Sequence, residues 1–192
     1  MISAAAWPAA ARSRGPCQGG LTDPCAPLVL ADGRRLQVLP LHRGDAAAEQ
    51  AFVDGLSRQS RYRRFHAGLP ALPAALLNRL VDVDQQAHVA MAAWVPGQDR
   101  IVADARYVRD ADGAEFALTV ADDWQGLGLG RQLLVRLARH AQSQGLQQLH
   151  GSVLWDNRPM TGLVERLGGS LHTQHDDPGV LQARFRTAAL AT

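Results

Sequence analysis

The stretch Val120-Ala121-Asp122-Asp123-Trp124-Gln125-Gly126-Leu127-Gly128-Leu129-Gly130-Arg131 carries the densest chemistry in the sequence. Glycine at alternate positions bares the backbone N–H groups of a loop that runs into an apolar-periodic segment. If that segment is a helix, unpaired N–H groups and about half a positive charge converge at its start. Such a place takes an anion, and the ligand it suggests is one that carries phosphate. Two well-known phosphate loops do not fit. A P-loop needs Gly-Lys-Ser/Thr, and the chain has no Lys at all. A Rossmann turn needs G-x-G-x-x-G, and the sixth place counted from Gly126 is Arg131. The bland alternative is a glycine-rich turn that only lets a helix and a sheet pack closely.

The elements around this segment follow from periodicity. Leu28–Leu30, Ala31-Asp32-Gly33 and Leu36–Leu39 read as strand, turn and strand. Asp45 is placed to cap a helix with Ala48, Phe52 and Leu56 on its apolar face. Ser57–Phe65 reads as a loop with a basic cluster, Arg58, Arg61, Arg63 and Arg64. Pro73 opens a helix with Leu76, Leu77, Leu80 and Val81 on one face. Strands follow at His88–Val95, Ile101–Val108 and Ala114–Ala121, joined by turns at Pro96-Gly97 and Asp110–Gly113.

The helix after the glycines buries Leu133, Leu134, Leu137, Ala138 and Ala141, wets Arg131, Arg136 and Arg139, and stops at Gly145. Leu149–Trp155 is a strand, and Asn157 with Pro159 starts a helix bearing Met160, Leu163, Val164 and Leu167. Val180–Phe185 is the last strand. The fold class is α/β, a mixed and mostly antiparallel sheet flanked by helices. Residues 28–186 form one domain, with a disordered tail at 1–27 and a short C-terminal tail at 187–192.

Composition narrows the function classes. Of 192 residues, 46% are apolar and 20% charged, so the chain is globular. No run approaches the roughly 18 apolar residues of a membrane span, and the expected location is cytoplasmic. A net charge of +2 does not point to nucleic acid. Cys17 and Cys25 are the only cysteines, so the folded body has no catalytic thiol and no Cys-based metal site. The seven His show no metal-ligand spacing; His172 and His175 with Asp176 and Asp177 read as a solvated loop, and no metal is expected.

Gln125-Gly126-Leu127-Gly128-Leu129-Gly130 resembles the Q/R-x-x-G-x-G/A signature of the GNAT family of N-acetyltransferases, and the strand and helix around it stand in the family's order. Ser57-Arg58-Gln59-Ser60-Arg61-Tyr62, Ala121–Gly126 and Asn157-Arg158-Pro159-Met160 resemble the acetyltransferase domain of bacterial protein lysine acetyltransferases. The resemblance covers Leu28 to Phe185 and implies acetyl-CoA as donor. It implies that backbone groups of Gln125, Gly126, Leu127, Gly128, Leu129, Gly130 and Arg131 hold the pyrophosphate. The pantetheine arm would lie along the strand ending at Val120, with a backbone N–H near Leu118–Val120 facing the thioester oxygen. Asn157 would contact the arm or hold the splayed strand, or it is a plain N-cap.

The acceptor implied is a primary amine, such as a protein lysine. An ammonium group must lose a proton before it attacks, and Glu115, on the strand leading into the loop, is the candidate general base. The alternative for Glu115 is an exposed strand-end carboxylate. Many family members have a tyrosine seven residues after the Asn; here that position is Val164. Tyr107 is a weak substitute. Arg61, Arg63 and Arg64 read as a solvated face, or as an attractor of acidic protein surfaces. Two other functions stay open: acetylation of a small-molecule amine, and a CoA-binding sensor without catalysis.

Overall fold

Turn chemistry and alternation organise the first half of the chain. In the computed structural model, which describes residues 27–174 and 177–190, β1 (Leu28–Val29) and β2 (Arg35–Pro40) pair antiparallel around Gly33, at φ 85°. Three helices follow: α1 (Ala46–Asp54), α2 (Arg58–Phe65) and α3 (Ala74–Val81). Then β3 (His88–Trp94), β4 (Ile101–Asp110) and β5 (Gly113–Val120) form an antiparallel meander. The second half alternates: α4 (Leu129–Ser143), β6 (Gln148–Leu154), α5 (Arg158–Arg166), β7 (Ser170–Thr173), β8 (Val180–Arg186) and α6 (Thr187–Leu190).

The sheet order is β1-β2-β3-β4-β5-β6-β8-β7. Every neighbouring pair is antiparallel except β5 and β6, which are parallel. This is the mixed, mostly antiparallel sheet the sequence leads one to expect.

The two sheet faces are packed differently. On one, the stripe Leu133, Leu134, Leu137 and Ala141 of α4 meets Ala105, Tyr107, Ala114 and Phe116. On the other, Phe52 and Val53 of α1 and Leu80 and Val81 of α3 cover Ala90, Ala92, Trp94 and Ile101. Burying one such leucine or phenylalanine contributes about 1.5–3 kcal/mol.

Three expectations need correction. Ser57–Phe65 is not a loop: Ser57 caps α2 by accepting from the Ser60 N–H at 3.1 Å, and only Ser60 of the helix is buried. With no apolar stripe, the helix leaves no periodic signal. The chain from 187 is not a tail as far as Leu190: Leu190 is 3% exposed in the core, and Thr187 Oγ1 donates to the Leu146 carbonyl at 2.7 Å. Asp45 is not a simple cap for α1; its carboxylate accepts from the His42 N–H at 3.1 Å and closes a 3-10 turn just before it. The expected N-terminal tail, apart from Pro27, lies outside the described residues. So do Cys17, Cys25, His175 and Asp176. Among the described residues no helix is long and apolar enough to cross a membrane, and no group of His, Cys, Asp and Glu could hold a metal.

Candidate active site

β5 and β6 pair only at Ala114–Leu149 and Glu115–His150. Glycines permit the close approach there. A Cβ on Gly113 would stand 2.6 Å from the Gln148 carbonyl oxygen, and one on Gly151 2.8 Å from that of Phe116. Beyond this contact the strands part and one edge of β5 is left open. The Ala121 N–H donates to the Val102 carbonyl, and the β4–β5 register is unbroken. Alternation therefore turns odd-numbered amides of β5 toward β4 and the backbone groups of Leu118 and Val120 toward the opening.

The opening leads to the glycine loop. Gly126 and Gly128 take φ 75° and 80°, in the left-handed region that glycine adopts without strain. The first helical bond of α4 runs from the Gln132 N–H to the Gly128 carbonyl at 3.1 Å. The amides of Leu129, Gly130 and Arg131 thus have no partner within the helix, and they stand at its positive end. A cavity of about 390 Å³ lies against this end. Of the residues singled out from sequence for donor binding, Leu118, Val120, Gln125, Gly126, Gly128, Leu129, Gly130, Arg131 and Asn157 line it. Leu127 does not; it packs against the core.

A second cavity, of about 610 Å³, continues past Leu118. Arg63, Arg64, Leu118, Asn157 and Met160 line both, so the two are ends of one groove. Glu115 lines only this second end, with Ser152 on β6. Asn157 is an N-cap, its side chain accepting from the Met160 N–H at 3.4 Å, and it also stands where the two ends meet.

Tyr107 does not reach the groove. It is wholly buried on the α4 face, where its hydroxyl lies 3.0 Å from His140 Nδ1, and burial pushes its pKa up to about 12. Val164 is also fully buried. No tyrosine lines either end of the groove.

A buried ionic group backs the second end. Arg106 donates to Asp104 Oδ1 at 3.1 Å, to the Leu80 carbonyl at 2.7 Å and to Glu49 Oε1 at 3.2 Å, with a further short contact to Asp104 Oδ2. Burial, then the charge of Asp104, raises the Glu49 pKa well above the usual carboxylate range. Burial also works against ionised Asp104, but the Arg106 charge and hydrogen bonds hold its pKa down. Glu49 Oε2 is buried and meets no N–H or O–H donor among the described residues.

The wall made by α2 is held from the loop. Asp122 accepts from the Ser57 N–H and Oγ–H, both at 2.8 Å, and from Ser60 Oγ at 2.7 Å. Partial burial raises its pKa, but these bonds outweigh that and keep it below the ordinary value. Gln125 Nε2 donates to the Val120 carbonyl at 3.0 Å and to Ser60 Oγ at 3.3 Å. Arg61 is structural, donating to the Pro70 and Leu56 carbonyls at 2.8 and 3.1 Å. Arg63 and Arg64, read from sequence as a solvated face, line the groove instead. Arg79, Arg106 and Arg166 were not legible as site residues. They come from α3, β4 and α5, and no short spacing links them.

An open strand edge thus leads to the bare amides at the start of α4, with the Glu115 carboxylate beyond it. The Acetyltransferase (GNAT) family model matches residues 49–169. The chain belongs to that family and is an acetyltransferase of the GNAT type. It is 36% identical over 143 residues to Acetyltransferase PA5475 of Pseudomonas aeruginosa, covering 72% of this chain and 77% of that protein. It is 33% identical over 145 residues to Acetyltransferase Pat of Mycolicibacterium smegmatis, covering 74% of this chain but only 43% of that longer protein. Among solved structures, the GNAT domain of S. lividans PAT superposes with a TM-score of 0.78 at 30% identity, over 84% of this chain and 96% of the other.

Proposed function

We propose that this protein transfers acetyl from acetyl-CoA to a primary amine, with a protein lysine as acceptor and Glu115 as general base. One observation carries the reading: the bare amides of Leu129, Gly130 and Arg131 and the Glu115 carboxylate lie at opposite ends of one groove, joined along the open edge of β5.

The groove fits the donor. The amides and Arg131 suit a diphosphate, and the backbone groups of Leu118 and Val120 suit an extended amide-bearing arm. Bound acetyl-CoA supplies the acetyl thioester. The Leu118 N–H, directed into the opening, then faces the charge that grows on the acyl oxygen; one such donor is typically worth about 3–4 kcal/mol. Glu115 takes the ammonium proton, directly or through a water. The groove offers no tyrosine to protonate the leaving sulfur. A thiol pKa near 8.5 makes that sulfur an adequate leaving group as the thiolate. With no cysteine among the described residues, the acyl group passes straight to the amine.

The lysine acceptor is supported by the likeness of Ser57–Tyr62, Ala121–Gly126 and Asn157–Met160 to bacterial protein lysine acetyltransferases. The test is steady-state release of free CoA with lysine peptides, comparing the wild type with Glu115→Gln. Full turnover in the variant at saturating donor rejects Glu115 as the base. The absence of tyrosine favours a second reading, a CoA-binding sensor. Donor binding by calorimetry with no transfer across a broad amine panel would establish that one instead.

A further inference from the structure

The acceptor end of the groove is strongly cationic once its charges are paired off. Arg106 is engaged by Asp104 and by Glu49, whose pKa is raised by burial and by the Asp104 charge. Asp82, on the rim, is engaged by Arg43 at 2.7 Å. That leaves Arg63, Arg64 and Arg79 against the single carboxylate of Glu115.

Two polar atoms of the lining are also left over. Arg63 Nε and His88 Nε2 are buried and have no hydrogen-bond partner among the described residues. The neighbouring groups respond to the field. The pKa of His66 is lowered by burial and then by Arg64, and that of His88 by burial and then by Arg106. Arg64 itself is lowered by burial and then by the Arg106 charge.

A cavity of this kind repels a polycation. An ammonium beside Glu115 would face three guanidinium groups, and additional positive charge on the same acceptor would compound the repulsion. Carboxylates on the acceptor reverse the balance, because guanidinium groups bind them in planar, charge-assisted pairs. The same field disfavours the protonated form of the amine.

Resting on the acetyl-transfer reading above, we infer that the preferred acceptor is a primary amine with carboxylates close to it, such as a lysine flanked by Asp or Glu, bound by Arg63, Arg64 and Arg79. Arg63 and Arg64 also line the donor end, whereas Arg79 lines only the acceptor end. Arg79 is therefore the residue that separates acceptor choice from donor binding. It is exposed on α3, so its replacement leaves the core untouched.

The experiment is acetyl transfer by the full chain to single-lysine peptides flanked by Asp/Glu, by Ala or by Arg, with spermidine and free aspartate as further arms. The protein has no Lys of its own, so acetyl-lysine reports only on the acceptor. The expected kcat/KM for the acidic peptide exceeds that for the arginine-flanked one by about 10-fold at low ionic strength, and the gap narrows in about 0.5 M salt. Arg79→Glu should shrink the gap to about 2-fold through the acceptor KM, leaving the acetyl-CoA KM unchanged; Arg79→Gln should fall between. The free aspartate arm shows whether a small amine suffices or the flanking peptide is needed; turnover of aspartate above spermidine, or of the acidic peptide above the arginine-flanked one, supports the proposal.

Equal or reversed preference among the peptides overturns it while sparing the transfer reading. So does a preference that survives Arg79→Glu, or a charge preference found only on the acyl donor, as succinyl-CoA over acetyl-CoA. No transfer to any amine, with acetyl-CoA bound, overturns the transfer reading and this one with it.

Discussion

The two ends of the groove are built from different materials. The proposed donor end is mostly backbone: amides at the start of α4, the open edge of β5, and two glycines in left-handed conformation, all within the segment from Leu118 to Arg131. The proposed acceptor end is mostly side chains, Arg63 and Arg64 from α2, Arg79 from α3, Arg106 from β4 and Glu115 from β5. A ligand recognised through backbone constrains sequence locally, since only glycine tolerates the required φ and only a helix start leaves its amides bare. A ligand recognised through side chains constrains positions that are far apart in the chain.

The sharpest break between the two ends comes from Glu115→Gln. We expect kcat to fall by roughly 10²–10⁴-fold with little change in the acetyl-CoA KM, read by stopped-time assays with saturating donor. An unchanged kcat would remove the carboxylate from the chemistry.

Arg106→Leu attacks the support of the acceptor end. It leaves two buried carboxyl groups without their cation, and the expected loss of stability is about 3–5 kcal/mol by denaturant melts. The pH arm of this test uses Glu49→Gln. Glu49 has a raised folded pKa, so its stabilising contribution is complete below its unfolded pKa and is lost as pH rises through the folded one. Asp104 has a lowered folded pKa, so its contribution is present above its unfolded pKa and is lost as pH falls through the folded one. Glu49→Gln should therefore flatten the decline of Tm on the alkaline side and leave the acid side in place. A wild-type alkaline slope retained in the variant would mean that Glu49 is not the group responsible.

Gly128→Ala tests the donor end. A side chain at φ 80° costs about 1–2 kcal/mol. A raised acetyl-CoA KM with an unaltered acceptor KM is expected; the reverse pattern would contradict the division of the groove. The smallest effect is expected from Asp122→Ala, which frees the Ser57 end of α2 from the loop. Because this carboxylate is largely exposed, the loss should be on the order of 1 kcal/mol. Hydrogen exchange should accelerate in α2 more than in α4.

Much of the fold was legible because its signals are local. The stripe Leu133–Ala141, the Asn157-Pro159 helix start and the turns between β3, β4 and β5 each lie within a short window. The exceptions have a common cause. α2 has no apolar stripe, and it is held by Asp122 and Gln125, about sixty-five residues away. α6 is only four residues long and depends on burying Leu190 beside α4. Four-residue β7 is largely exposed and was not foreseen; it exists by pairing with β8.

The sequence alone picked out the glycine loop as the proposed seat of a phosphate-bearing donor, because backbone geometry there is dictated by neighbouring residues: three glycines and the start of one helix. It also singled out Glu115, on the strand entering that loop. Only the tertiary structure decided that Tyr107 faces away, that Arg61 braces a loop while Arg63 and Arg64 line the groove, and that Glu49 closes an ionic group with Asp104 and Arg106. Those outcomes depend on which strand face meets which helix. That is settled by packing over the whole sheet and is not encoded in any one window of the chain.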